Sequence, residues 1–454
     1  MSTDPIVTVV GGGMAGSEAA WQLAQRGIVV RLHEMRPGRS TAVHKSECLA
    51  EMVCSNSLRS DGLDNAVGLL HEEMRRLGSL LMAAGDRNRV PAGKALAVDR
   101  WKFARDITAT LESASSVQII RQEVREIPEG PTIIATGPLT SEALSQSIEQ
   151  FAGSEDLYFY DAVSPIVRAG SVDAERSFLA SRYDKAGADY LNCPMTEEEF
   201  DCFYEALMNA ELAELRAFEE GLFFEGCLPI EEQGRRGRKT LLFGPMKPVG
   251  LVDPRTGRRP FAVVQLRQDD LAAEHYSLVG FQTRMKWGEQ ERVLRRIPAL
   301  RNAEFVRFGV VHRNTYINAP RMLGETLQTR ARGDLFFAGQ IAGTEGYVES
   351  AAGGLLSGIY CSMLLLDGEI EPVPRATALG SLAFYVSHAS AVNYQPTNIT
   401  FGIMPELDEP TRGRRNRKQR REARSRRALD ELDRWIERVS DRLRLPATTR
   451  QTIR

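Results

Sequence analysis

Cysteine is scarce in this chain: six in 454 residues, at positions 48, 54, 193, 202, 227 and 361, with no C-x-x-C pair among them. That spacing excludes a disulfide scaffold, a zinc ribbon and a dithiol reductase, and it suits a thiol-reduced, cytoplasmic protein. Histidine is as sparse, also six, and no cluster of His, Cys or acids has metal-ligand spacing, so no metal site is expected. There is no uncharged apolar run of eighteen residues and no basic, apolar leader ahead of the first strand, which argues against a membrane span or export. Net charge is nearly absent too: 58 Lys and Arg stand against 60 Asp and Glu, giving −2. What remains is 43% hydrophobic, enough for two or three domains with real cores.

The near-neutral total conceals an asymmetry. Between 412 and 427 stand ten Lys or Arg and one acid, Glu422, a local +9 that leaves −11 for the rest of the chain. Such a block is the electrostatic footprint of polyanion contact; the plainer reading is a solvated helix face. Beyond it Leu429, Leu432, Ile436, Val439 and Leu443 recur at threes and fours, an apolar helix stripe that should dock on the body. Trp435 beside that stripe reads as packing.

The first thirty-odd residues carry the clearest local signal. Ile6-Val7-Thr8-Val9-Val10 is continuously apolar or β-branched, as a strand buried on both faces should be. Gly11-Gly12-Gly13-Met14-Ala15-Gly16 follows, with glycine at all three places of GxGxxG. A helix stops at Gly27, and a second strand over 29–33 delivers Glu34 eighteen residues after Gly16. That spacing sets a pyrophosphate on the helix N-terminus and a carboxylate against ribose hydroxyls. Two later strands end in glycine turns: Thr132-Ile133-Ile134 enters Ala135-Thr136-Gly137, and Leu335-Phe336-Phe337 enters Ala338-Gly339-Gln340 and then Gly346-Tyr347.

Two cysteines sit in unusual neighbourhoods, Glu51-Met52-Val53-Cys54-Ser55-Asn56-Ser57 and Phe223-Phe224-Glu225-Gly226-Cys227-Leu228-Pro229-Ile230. A single cysteine is more often a small buried apolar residue than a nucleophile. Here turn-forming and acidic neighbours make poor surroundings for an inert core thiol. With GGGMAGSEAA, HEMRP, VCSNSL, RVPAGKALAVDR, FFEGCLPIEE, LFGPMKPVGL, VVQLRQD, FAGQIAGTEGYVESAAGG and QPTNITFG, nearly the whole chain resembles the folate- and FAD-dependent tRNA (uracil-C5)-methyltransferases, which make ribothymidine in the T-loop of bacterial tRNA.

The resemblance implies an α/β fold: a glutathione-reductase-like, Rossmann-type FAD domain split by an inserted α/β domain. The expected division is 1–185 and 321–410 for the two parts of the FAD domain, 186–320 for the insertion, and 411–454 for the basic segment and helix. FAD would contact Gly11, Gly13, Met14, Ala15, Gly16, Glu34, Met35, Arg36, Ala135, Thr136, Gly137, Gly339, Gln340, Gly346 and Tyr347. By the same resemblance Cys227 is the nucleophile and Cys54 the second catalytic thiol. His312 and Tyr347 are candidates to cover a folate pterin, and Arg284 and Lys286 to meet its glutamate tail. The expected partners are tRNA, 5,10-methylenetetrahydrofolate and NAD(P)H.

The chemistry makes sense of this set. Uracil C5 is too poor a nucleophile to attack a one-carbon donor until a thiolate adds at C6. A methylene carried by folate arrives one hydride short of methyl, which a reduced flavin supplies. Competing readings are the same reaction on ribosomal RNA, a wobble-uridine tRNA-modifying flavoprotein, a non-catalytic flavin-bearing RNA-binding protein, and a generic NAD(P)H oxidase. Neither of the last two needs both cysteines.

Overall fold

The computed structural model describes residues 5–41, 43–153, 157–162, 164–184, 188–213, 228–309, 311–392, 394–407 and 417–443. At its centre is a parallel sheet in the order Leu335–Phe337, Thr132–Ile134, Ile6–Val10, Val29–His33, Val117–Ile120. Val7, Val9, Val30, Leu32, Ile133, Ile134, Phe336 and Phe337 are all fully buried, as a parallel sheet covered on both faces requires. The strands at 132 and 335 pair directly, Leu335 opposite Thr132, although some two hundred residues separate them. The sheet is therefore completed only after the chain has made and left a second unit.

One face of the sheet is covered by two helices that touch, Met14–Ala24 and Tyr347–Asp367. A Cβ on Gly354 would lie 2.0 Å from the Ala15 carbonyl oxygen, and one on Gly358 would lie 2.8 Å from that of Ala19. Only glycine admits this approach. Helix Tyr347–Asp367 is long and apolar enough to cross a bilayer, but every residue from 348 to 363 is buried within the protein. It is a central core helix.

The second unit is an antiparallel sheet in the order Phe178–Leu179, Tyr190–Met195, Ala262–Gln268, His275–Leu278, Ile166–Arg168, Phe305–Arg307. It has its own core, including Phe200, Phe203, Ile230, Leu266 and Phe281. The boundary expected at 186 falls inside this sheet, since two strands, Ile166–Arg168 and Phe178–Leu179, precede it. They are three and two residues long, too short to show a period in sequence. A ladder of Leu157–Ala162 with Val311–Tyr316 carries the chain out and back.

From Arg417 on, the basic segment and the apolar stripe belong to one continuous helix, Arg417–Leu443, in keeping with the good helix propensity of arginine; residues 412–416 of the basic segment lie outside the described residues. Leu429, Leu432, Trp435, Ile436 and Val439 are buried in the core of the first unit, and the Trp435 indole donates to the Glu371 carbonyl at 3.2 Å. Arg76 ties the helix to Ala66–Arg76 through Asp433 at 2.6 Å.

Glu73 in helix Ala66–Arg76 accepts the Ala378 and Leu379 amides, each at 2.8 Å, and so satisfies the start of helix Ala378–His388. Burial pushes its carboxyl up to about 7, against the lowering effect of the two amides and Arg76. The folded protein thus keeps a proton that the unfolded chain releases near pH ~4.3. Its contribution is complete below that pH and is lost as pH rises to about 7, at no more than about 1.4 kcal/mol per pH unit. Glu73→Gln should flatten this decline in urea melts between pH 5 and 7.5. A slope equal to that of the wild type would show that Glu73 is already ionised.

Candidate functional site

A cavity of about 420 Å³ opens at the carboxyl ends of the parallel strands, where ligands bind in open α/β sheets. Its first wall is the glycine turn. Gly11 has φ +104, and a Cβ there would lie 2.5 Å from the Ala135 carbonyl oxygen; one on Gly16 would lie 1.8 Å from that of Gly11. Gly13 differs: its Cβ would meet nothing within 4 Å. It caps helix Met14–Ala24 with no side-chain hydrogen bond, so the first amides of that helix are available to an anion. Two glycines are thus needed by the fold, and the third leaves space for a ligand.

Glu34 follows the second strand. Its Oε2 accepts from the Gly12 amide at 3.0 Å and from Arg36 Nη2 at 3.2 Å, and its Oε1 accepts from the Arg36 amide and Nε, both at 3.0 Å. Arg36 also reaches Glu51 at 3.2 Å, so one buried guanidinium serves two buried carboxylates. Burial alone would raise the Glu34 carboxyl; the Arg36 and Gly12 hydrogen bonds outweigh it and hold the group below the usual range. It stands ionised and oriented for ribose hydroxyls.

The opposite end is built by Tyr347, first residue of the long core helix. Its Oη accepts the Cys54 amide at 2.7 Å and the Ser55 amide at 3.4 Å. Burial, and next the neighbouring Cys54, push the phenol upward, so it stays protonated. Beside it Arg59, at φ 70, pairs with the buried Glu349, which also accepts the Ile399 amide at 2.8 Å. Gln340 donates to Glu345 at 2.6 Å, and Gly346 sits at φ +108, where a Cβ would meet Glu349.

Of the residues named from sequence, Gly11, Gly13, Met14, Ala15, Glu34, Met35, Arg36 and Cys54 line this cavity, with Ala135, Thr136, Gly137, Gln340, Gly346 and Tyr347. Gly16 and Gly339 stand behind the wall; a Cβ on Gly339 would lie 2.7 Å from that of Ala15. Arg284 and Lys286 are not brought to the cavity. Arg284 pairs with Glu232 at 2.6 Å and Lys286 with Glu211 at 2.9 Å, on the second unit. That segment gives Gln282 to the cavity wall instead. His312 lies in strand Val311–Tyr316, opposite Asp161. Cys227 lies outside the described residues. Ile230, three residues on, donates its amide to the Gln282 carbonyl at 2.8 Å.

Sequence reasoning missed Gly12, Arg59, Arg267 and Asn398, all on the cavity wall. Gly12 was hidden in a glycine run: a Cβ there would lie 2.5 Å from Leu49 and 2.9 Å from Glu34 Oε2. Arg59, Arg267 and Asn398 lie in VCSNSLRS, VVQLRQD and QPTNITFG, stretches in which only Cys54 had been given a chemical role.

The model of the family described as glucose inhibited division protein A matches residues 6–369. A protein of Bacillus subtilis (strain 168) called methylenetetrahydrofolate--tRNA-(uracil-5-)-methyltransferase TrmFO is 58% identical over 401 residues, 88% of this chain and 92% of that one. Its namesake in Enterococcus faecalis (strain ATCC 700802 / V583) is 57% identical over 409 residues, 90% of this chain and 94% of the other. The chain belongs to the TrmFO family. Among solved structures, Aquifex aeolicus GidA superposes with a TM-score of 0.69 at 17% identity, over 96% of this chain and 77% of that one, a likeness of fold. The TrmFO-family relatives are matched over nearly their whole length, and the larger GidA chain is not.

The glycine geometry separates ligand contact from fold. Gly13→Ala should leave the cofactor-free protein within about 0.5 kcal/mol of wild type while abolishing dinucleotide retention. Gly16→Ala should lose both, at a cost of about 1–3 kcal/mol or more from overpacking. Thermal melts with bound-flavin absorbance check this. Full retention in Gly13→Ala would place the pyrophosphate elsewhere.

Proposed function

We propose that this chain methylates uracil C5 in tRNA, forming ribothymidine at position 54 of the T-loop. The carbon comes from 5,10-methylenetetrahydrofolate, the hydride from reduced FAD, and the reducing equivalents from NAD(P)H, in the cytoplasm. The observation that carries this reading is that one cavity has a dinucleotide turn at one end and Cys54 at the other. FAD fits the residues present: Gly13 leaves room for the pyrophosphate, and Glu34 is an ionised acceptor for ribose. Bound there, the flavin supplies the hydride that turns a methylene into a methyl.

The protein's own groups do the rest. Cys227 adds as thiolate to uracil C6, so that C5 can bond to the donor's methylene; the C5 proton is removed as the carrier nitrogen departs, and hydride addition to the methylene expels the thiolate from C6. Cys54 is the second thiol, serving that proton removal or guarding the intermediate. Tyr347 fixes its backbone and, with His312, covers the pterin. Support for joining the two cysteines comes from Ile230 and Gln282, which link the stretch after Cys227 to the cavity wall. To meet the folate tail, Arg284 or Lys286 would exchange Glu232 or Glu211 for the folate carboxylates.

The helix at 417–443 divides its arginines by task. Arg424 donates to the Phe401 carbonyl at 2.9 Å, and Arg427 to those of Pro405 and Glu406 at 2.7 Å, so both fasten the helix. Arg426 is exposed and Arg420 and Arg421 half-buried, leaving these three for RNA phosphates, while the exposed Lys418 pairs with Glu422 at 3.6 Å.

Label in the folate methylene should enter the RNA methyl group, and label in adenosylmethionine should not. The reverse result would refute the donor. Replacing Arg420, Arg421 and Arg426 by Gln should flatten the salt dependence of tRNA binding by about 0.7–0.9 in slope per lost phosphate contact, with FAD content unchanged. Unchanged affinity at every salt concentration would leave these arginines as mere solvation of a helix.

A further inference from the structure

The loop carrying Cys54 is held from two directions. From the flavin side Tyr347 accepts the amides of Cys54 and Ser55. From the other side comes the end of strand Ala262–Gln268, which belongs to the inserted sheet. Arg267 donates through Nη2 to Ser55 Oγ at 2.7 Å and through Nε to Asn56 Oδ1 at 2.9 Å. The Asn56 amide group answers by donating to the Gln268 carbonyl at 2.8 Å and to the Val98 carbonyl at 3.0 Å. Just beyond, Asp269 takes Arg100 at 2.8 Å, and Arg100 donates its other arm to the Met52 carbonyl at 2.8 Å. Met52, Ser55 and Asn56 are thus fixed, directly or through Arg100, by three consecutive residues of the inserted unit.

Arg267 is costly where it stands. It is half-buried, and the lost hydration, with the positive charge of Arg100, outweighs its neighbouring acids and lowers its tendency to carry a proton. Its side-chain acceptors among the described residues are a hydroxyl and an amide oxygen, both neutral, so the placement is not that of a simple ion pair. Its planar fork matches two acceptors on adjacent residues, which a lysine ammonium cannot reproduce. Arg267 also lines the cavity, so the clamp lies where the thiol must be presented.

We propose that Arg267 is a positioning residue for Cys54, acting through Ser55 and Asn56, so that docking of the inserted unit sets the geometry of a thiol in the flavin half. The turnover part of this inference rests on the methyltransferase reading; the part about thiol geometry does not.

The test uses the full-length FAD-loaded protein with Arg267→Gln, Arg267→Lys and Ser55→Ala. Three quantities are read: bound FAD, the iodoacetamide alkylation rate of Cys54 by peptide mass, and kcat and KM for tRNA methylation. Arg267→Gln should alkylate at Cys54 at least fivefold faster and lose at least tenfold in kcat, with FAD content and KM for tRNA within threefold of wild type. Arg267→Lys, which keeps the charge but puts all its donors on one nitrogen, should fall between. Ser55→Ala should speed alkylation in the same sense and add nothing to Arg267→Gln. Unchanged alkylation in Arg267→Gln overturns the proposal, as does a rise in KM alone, which would mark Arg267 as a substrate contact. If Arg267→Gln loses FAD or fails to fold, Ser55→Ala decides, and wild-type alkylation there is equally fatal. A wild-type protein without methyl transfer would sink the methyltransferase reading, yet the alkylation result would still stand or fall by itself.

Discussion

Everything about the site depends on the approach of helix Met14–Ala24 to helix Tyr347–Asp367, backbone against backbone. Gly353, Gly354 and Gly358 sit in the middle of the longer helix, and each costs about 1 kcal/mol there relative to alanine. Alanine could not replace Gly354, whose Cβ would lie 2.0 Å from the Ala15 carbonyl oxygen. The contact joins parts of the chain more than three hundred residues apart. It sets the open turn at Gly13 and the phenol of Tyr347 at the two ends of one cavity. Loosened, it would leave a dinucleotide turn and a tyrosine with no common ligand.

Given that contact, charge is arranged in two ways. Inside, arginines are paired one by one with specific acceptors: Arg36 with Glu34 and Glu51, Arg100 with Asp269. Removing one partner of such a buried pair costs about 3–5 kcal/mol, mostly for the charge left behind. Outside, the helix at 417–443 offers several cations to solvent while two neighbours anchor it on carbonyls. The same residue type thus gives rigidity in one place and a surface for polyanions in another.

The dinucleotide half was legible because its requirements are local. A β-branched strand, three glycines at fixed spacing and an acid eighteen residues later each follow from the backbone within one unit. The docking of the C-terminal helix was legible for the same reason, since Leu432, Ile436 and Val439 keep a helical period. The start of the inserted sheet was not, because Phe178–Leu179 and Ile166–Arg168 gain their identity only from partners far along the chain. Arg267 was invisible for a related reason: its role comes from facing residues 55 and 56 across a domain junction. Arg284 and Lys286 show the converse, since cations named for a ligand are held by nearby acids on their own unit.

The central claim is that this cavity performs thiol-dependent methyl transfer to uracil. Trapping on tRNA that carries 5-fluorouracil tests it most directly, because fluorine at C5 blocks the elimination that would release the enzyme. With FAD, reductant and methylenetetrahydrofolate present, the account predicts a covalent protein–RNA complex whose cross-linked peptide contains Cys227, absent in Cys227→Ala although that variant still binds FAD. Methylation that proceeds without Cys227, or an RNA cross-link at no cysteine, would contradict it.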